Sequence, residues 1–276
     1  MEIEGNLIAR ELKRELLERV QRADKKLSLG IIVVRETPAI RQFVEVKRRF
    51  GTDVHVNVEV LQLGQLEQND EKLLQLLLHS TRSYDGLILQ LPIPASFNLD
   101  NALSLYPLSH DVDVLGNTAF QQFKEKTLPF LPPVVGAIKE VLERNGQRLT
   151  GKKVLVVGEG RLVGAPAGIW AEREGAYVTT ANKATENLSE LTLDAEVIIL
   201  GTGNPGLLTP DMIQDDVIIF DAGSGGTAGA IQGDADPSCA TKASLFTPTP
   251  GGLGPITVAK VFENLLELHD IKSRRQ

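Results

Sequence analysis

Short, β-branched apolar runs recur along this chain between stretches of helical periodicity, and that alternation narrows the fold more than any other feature. Leu7, Ile8, Leu12, Leu16 and Val20 follow helical spacing and lead into the uninterrupted apolar run 27–34, which reads as a helix followed by a buried strand. The same reading gives a helix over 38–50, then Val54, Val56, Val58 and Val60 alternating with polar residues as a strand with one wet face. Helix 70–79 and strand 86–91 complete that half, and the second half repeats the logic with strand 153–157, helix 163–174 and strands 176–180, 196–200 and 216–220. Such alternation predicts an α/β fold of two domains with parallel sheets flanked by helices. The polar stretch 145–153 places the boundary: residues 1–147 with a returning helix 255–276 form one domain, and 148–254 the other.

Composition closes off several functions. The chain has 276 residues, 42% apolar and 24% charged, enough for two cores. A formal net charge of −7 argues against a nucleic-acid surface, and the basic ending Lys272, Arg274, Arg275 reads as a solvated tail. Cys239 stands alone and the four histidines lack ligand spacing, so neither a disulfide nor a metal is expected. No apolar run approaches the roughly 20 residues of a membrane span, and the N-terminus lacks a leader pattern. The expectation is a cytoplasmic protein without a membrane partner.

Three segments carry the chemistry. In 247–257, Pro248, Pro250 and Pro255 preset φ while Gly251, Gly252 and Gly254 permit φ > 0 and bare-backbone approach by a ligand. Pro255 suits the first turn of a helix over 257–268. Strand 153–157 runs into Gly158, Glu159 and Gly160, with Gly164 opening a helix; this is dinucleotide-binding context, spaced G-x-G-x-x-x-G. Where an acid normally meets the ribose hydroxyls, the chain reads Ala181, Asn182, Lys183. Lys183 and Arg161 suit a ribose phosphate and Glu159 opposes one, so NAD and NADP both stay open. Lys47 shares a helical face with Phe43 at i, i+4, Gln90 ends the strand before Leu91-Pro92, and Asp113 closes Asp111-Val112-Asp113.

Taken together, the ordered segments Asp85-Gly86-Leu87-Ile88-Leu89-Gln90-Leu91-Pro92, Asp111-Val112-Asp113, Val156-Val157-Gly158 through Pro166, Gly233-Asp234 and the Thr-Pro-x-Pro-Gly-Gly-x-Gly-Pro-x-Thr run resemble the bifunctional methylenetetrahydrofolate dehydrogenase/cyclohydrolase family. The resemblance implies oxidation of 5,10-methylenetetrahydrofolate with NADP or NAD, hydrolysis of the methenyl product, a folate in a cleft between the domains, and a homodimer. It also implies catalytic roles for Lys47, Gln90 and Asp113, and folate contacts from Phe43, Leu89, Leu91, Pro250, Gly251, Gly252, Leu253 and Gly254. Gly158, Glu159, Gly160, Lys183 and Ser224 would meet the dinucleotide.

Departures accompany the resemblance. Phe43 and Ile40 stand where the family carries tyrosine and serine, Val114 where it carries glycine, and Pro133-Val134-Val135 where it has Cys-Thr-Pro. Glu159-Gly160 replaces the Arg-Ser that reads the NADP phosphate, and Asn182-Lys183 a His-Ser pair. Two other readings stand beside this one: a binding relative without catalysis, and a two-domain dehydrogenase of the shikimate type.

Overall fold

The computed structural model describes residues 1–64, 69–225 and 231–274; Arg275, in the expected basic tail, lies outside the described residues. The chain forms two compact units. One comprises Arg10–Pro133 with Val258–Gln276, the other Met1–Ala9 with Val134–Thr257. The division falls at Val134, ahead of the expected boundary near residue 147. The polar stretch there is only the exit from α6 (Pro133–Arg144), where Gln147 N–H donates to the Leu142 carbonyl at 2.9 Å and closes the helix end.

The first of these units holds a three-stranded parallel sheet ordered β2-β1-β3, made of β1 (Ser28–Val33), β2 (Asn57–Gln62) and β3 (Gly86–Leu89). β3 is buried throughout and β1 beyond its half-buried first residue Ser28, and both are apolar there, as central parallel strands require. β2 lies at the edge and alternates exposed and half-buried residues at its start. It begins later than the valine alternation predicts, because Val54 caps α2 (Pro38–Asp53) and His55 takes φ 61° to turn the chain. Around the sheet pack α1 (Gly5–Gln21) from Arg10 on, α2, α3 (Asp70–Ser80), α4 (Leu99–Ser104), α5 (Asn117–Lys124) and α9 (Leu253–Ser273) from Val258 on. Asn264 of α9 donates its amide to the carbonyls of Val112 and Leu131 at 2.8 and 2.9 Å, fixing the helix to two loops. Lys272 corrects the solvated-tail expectation: it is half-buried and donates to the Asp85 carbonyl at 3.0 Å.

The other unit is built on five parallel strands ordered β5-β4-β6-β7-β8. These are β4 (Lys153–Val157), β5 (Tyr177–Ala181), β6 (Val197–Leu200), β7 (Ile218–Asp221) and β8 (Leu245–Thr247). The helices α7 (Gly164–Arg173) and α8 (Leu188–Asp194) join them. The order is second-first-third-fourth-fifth in chain sequence, so β4 and β6 flank the point where the winding reverses. One core face gathers Leu155, Val157, Ile198, Leu200, Ile219 and Phe246.

Candidate functional site

In the unit of the three-stranded sheet, chain order reverses between β1 and β3, and ligands gather beyond the carboxyl ends of strands at such a point. Gln90 stands there, its N–H donating to the Ile32 carbonyl at 2.9 Å. Opposite it, α2 starts sharply: Thr37 accepts from the Ile40 N–H at 3.2 Å and Pro38 occupies the first turn. From that start, Ile40, Phe43, Val44 and Lys47 fall on one face, with Ile40 and Val44 buried and Phe43 and Lys47 half-buried. The outer face carries Glu45 with Arg48 and Arg49, paired at 3.4 and 2.9 Å. Lys47 is therefore on the apolar side of an amphipathic helix rather than in an ordinary basic turn.

The Lys47 ammonium donates to Gln90 Oε1 at 3.0 Å, and Gln90 Nε2 donates to the Leu91 carbonyl at 2.9 Å. Burial pushes the Lys47 pKa down, opposed by the attraction of Asp113. Burial likewise pushes Asp113 up, and the nearby Lys47 charge pulls it back. The three predicted residues thus share one environment.

Sequence reasoning missed what holds Asp113 in place. Asp111 is fully buried and accepts the N–H of Leu115 at 3.0 Å and of Gly116 at 2.7 Å, which ties the loop into a closed turn. Burial lifts its carboxyl to about 7 despite those two donors. Val114, between Asp111 and those donors, takes φ 57°, a left-handed conformation that strains a β-branched residue. Tyr106 is buried beside this loop, and burial together with Asp111 and Asp113 drives its phenol well above the usual range. The Leu89 backbone is the polar group beside its hydroxyl and partly offsets that rise. No spacing in the sequence signals Tyr106, because its place depends on tertiary packing alone.

In the other unit, the turn after β4 lies at its reversal point. Gly158 takes φ 99°, donates to the Ala181 carbonyl at 2.8 Å, and a Cβ on it would fall 2.6 Å from the Gly201 oxygen. A Cβ on Gly164 would fall 1.7 Å from the Gly158 oxygen, whereas one on Gly160 would meet nothing within 4 Å. Val163 precedes α7 without a side-chain cap. Two glycines thus let turn, strand end and helix start close on one another, and the third leaves open space beside bare backbone, a cradle that fits a pyrophosphate. Asn182 donates to Glu159 at 2.6 Å across the ends of β4 and β5. Lys183 and Ser224 are exposed. Asp234, buried, accepts Thr202 N–H at 2.6 Å and Gly203 N–H at 3.2 Å and so shapes the loop after β6. Burial lifts the neighbouring Asp221 to about 6.

The Pro/Gly run belongs to this same unit. The Thr249–Pro250 peptide, like Leu91–Pro92 in the other unit, is cis. Gly251 takes φ 104°, and a Cβ on Gly5 would sit 1.7 Å from the Gly252 oxygen, so the N-terminal segment lies directly on the run. Pro250 and Gly254 are exposed, Gly251 is half-buried, and Gly252 is buried. The Leu253 side chain is buried, 1% exposed, so any ligand contact there would be made by backbone. Leu89 is 2% exposed and shares a core cluster with Leu87 and Phe97. Leu91, one step beyond the strand, is only partly buried. Among the described residues no group of three or more His, Cys, Asp or Glu could hold a metal, and no helix is long and apolar enough to cross a membrane.

Comparison with known proteins gives two adjoining family matches. Residues 3–113 match the tetrahydrofolate dehydrogenase/cyclohydrolase catalytic domain, and residues 111–273 match the NAD(P)-binding domain of the same name. The chain is 30% identical to the bifunctional protein FolD of Caldanaerobacter subterraneus subsp. tengcongensis over 271 residues, covering 97% of this chain and 96% of that one. The FolD of Lactobacillus acidophilus is 30% identical over 280 residues, covering 99% and 97%. Among solved structures, the bifunctional FolD methylenetetrahydrofolate dehydrogenase/cyclohydrolase of Campylobacter jejuni superposes with a TM-score of 0.92 at 28% identity, covering 99% of both chains.

Proposed function

Because this chain belongs to the tetrahydrofolate dehydrogenase/cyclohydrolase family, we propose that it oxidises 5,10-methylenetetrahydrofolate to the 5,10-methenyl form with a nicotinamide dinucleotide and then hydrolyses that product to 10-formyltetrahydrofolate. The observation that carries the reading is the Lys47–Gln90 hydrogen bond, 3.0 Å long and within the field of Asp113, at the reversal point of a parallel sheet.

Folate is assigned to the unit of Lys47 and the dinucleotide to the unit of Gly158. The dinucleotide, when bound, supplies the hydride acceptor. Backbone around Gly158, Gly160 and Gly164 would hold its pyrophosphate. Asp113 suits the N–H donors of a pterin ring, since a carboxylate only accepts. In the hydrolytic step, water adds to the methenyl carbon and a neutral Lys47 amine takes its proton. The proton returns to N5 as the C–N5 bond opens, and the remaining hydroxyl proton leaves to solvent as the formyl group forms. Burial favours the neutral amine this step needs. Phe43 and Ile40 bring no hydroxyl to the lysine; among the described residues Gln90 hydrogen-bonds it and Asp113 attracts it.

A homodimer paired along the edge strand β5 accompanies this reading, supported by Tyr177 at 73% exposure and by the exposed Thr179 and Thr180 on that strand. A cytoplasmic setting suits the single, unpaired, buried Cys239.

The test is direct. Purified protein with 5,10-methylenetetrahydrofolate and NAD or NADP is expected to yield reduced nicotinamide and methenyl product; no turnover with either dinucleotide ends the dehydrogenase reading. With methenyltetrahydrofolate supplied, Lys47→Ala is expected to slow hydrolysis about 10²- to 10⁴-fold, the range of a lost general base. Equal decay with both proteins removes Lys47 from the step.

A further inference from the structure

Resting on the dinucleotide reading above, we infer that Glu159, held by Asn182, selects a nicotinamide dinucleotide with a free 2′-hydroxyl on its adenosine ribose and turns away the 2′-phosphorylated form. β4 and β5 are neighbours in the sheet, paired from Lys153 opposite Tyr177 to Val157 opposite Ala181. Glu159 lies two residues beyond the end of β4, and Asn182 one residue beyond the end of β5. In a sheet wound this way the adenosine ribose falls beside those two strand ends, where an acid at the end of the second strand usually accepts from its hydroxyls. Here that strand ends in Asn182 instead, and the carboxylate is delivered from the glycine turn.

The amide's orientation is fixed by its neighbours. Asn182 Oδ1 accepts the Ala184 N–H at 2.9 Å, and a backbone N–H can only donate, so the NH₂ end must face Glu159. The turn is closed again by the Asn182 N–H donating to Thr185 Oγ1 at 3.0 Å. With its carbonyl oxygen already engaged, Asn182 serves to point the Glu159 carboxylate, through the 2.6 Å bond, along the gap between the strand ends. An anion fixed there accepts from a 2′-hydroxyl and repels a phosphate.

Two cations lie nearby. Arg161 is half-buried and has a partner of its own. Lys183, on the tip of the Asn182–Thr185 turn, and Glu159 are both exposed, so solvent dilutes both charges; the carboxylate differs in being held by the Asn182 amide. At surface screening, a like charge within about 4–6 Å still separates two ligands by roughly tenfold or more.

Isothermal titration of the full chain with NAD⁺ and with NADP⁺, without folate, reads this directly. NAD⁺ is expected to bind at least about tenfold more tightly, and Glu159→Gln to shrink that ratio at least about fivefold, mainly by strengthening NADP⁺ binding. Asn182→Ala keeps the carboxylate but frees it, and is expected to move the ratio part of the way in the same direction. Wild-type protein that binds NADP⁺ as tightly as NAD⁺, or a ratio unmoved in Glu159→Gln, overturns the selectivity while leaving the dinucleotide site standing. Binding of neither nucleotide overturns the dinucleotide reading itself.

Discussion

The Nζ of Lys47 and the Oε1 of Gln90 lie 3.0 Å apart, and the other end of the same amide is anchored on the Leu91 carbonyl. Gln90 therefore cannot turn without breaking one bond or the other. Its neutrality matters as much as its position. A neutral acceptor orients the amine without stabilising the ammonium, so burial can keep the Lys47 pKa low. Gln90→Glu keeps an acceptor oxygen for Lys47, gives up the donation to the Leu91 carbonyl, and adds an anion, which raises the lysine pKa. The pH at which methenyl hydrolysis switches on is expected to move upward in this variant, with a lower rate at neutral pH and partial recovery in alkali. A pH–rate profile identical to wild type would show that Lys47 titration does not limit the step.

Val112 and Val114 flank Asp113, are 0% and 2% exposed, and differ in backbone: only Val114 has a positive φ, 57°. Removing either side chain to glycine forfeits about 1.5–3 kcal/mol of burial and adds roughly 1 kcal/mol of chain entropy. At position 114 glycine also relieves left-handed strain of about 1–3 kcal/mol. Val114→Gly is therefore expected to cost less stability than Val112→Gly by about that strain, read from urea unfolding midpoints. Equal costs would mean that the loop relaxes without strain. The strain itself fits a loop clamped from both sides, by Asp111 on the Leu115 and Gly116 amides and by Asn264 on the Val112 carbonyl.

The strands were legible because parallel central strands must be apolar on both faces: residues 153–157 coincide with β4, and the other apolar runs end within two residues of the observed strands, whereas the valine alternation over 54–60 starts three residues before β2. Pieces with too few turns to show a period escaped notice, among them α4, α8 and the three-residue β8, and so did α5 and the three-turn α6, which length does not explain. The same double burial that reveals a strand hides which way its side chains face, so the burial of Leu89 was not legible. Lys47 was legible as a site only together with its helical face and a family motif, since a lysine on its own usually means solvent. Asp111 and Asp234 stood inside the motif segments, but their role of holding backbone amides of the loops left no mark in the spacing, and Tyr106 acts through packing.

Asp111 gives a pH test whose sign is fixed by the direction of its shift. Its carboxyl is raised from 3.8 to about 7, chiefly by burial. Below pH 3.8 the folded and unfolded chains both hold the proton. Between there and about 7 only the folded chain keeps it, so stability from this group falls as pH rises through that window and is level above it. Asp221, raised to about 6, adds a loss of the same sign in the other unit. Carboxylates held low, such as Asp85 beside Lys25, act in the opposite sense at the acid end, so the informative quantity is a difference between two proteins. Asp111→Asn is a fixed analogue of the protonated acid. Its amide meets the Gly116 N–H at every pH, which costs a constant amount. Urea midpoints from about pH 4 to about pH 8 are expected to show wild type losing stability relative to Asp111→Asn on the order of a few kcal/mol, with the change ending near pH 7. Parallel curves would mean that Asp111 ionises in the folded chain as it does in the unfolded one, and that its two amide donors outweigh its burial.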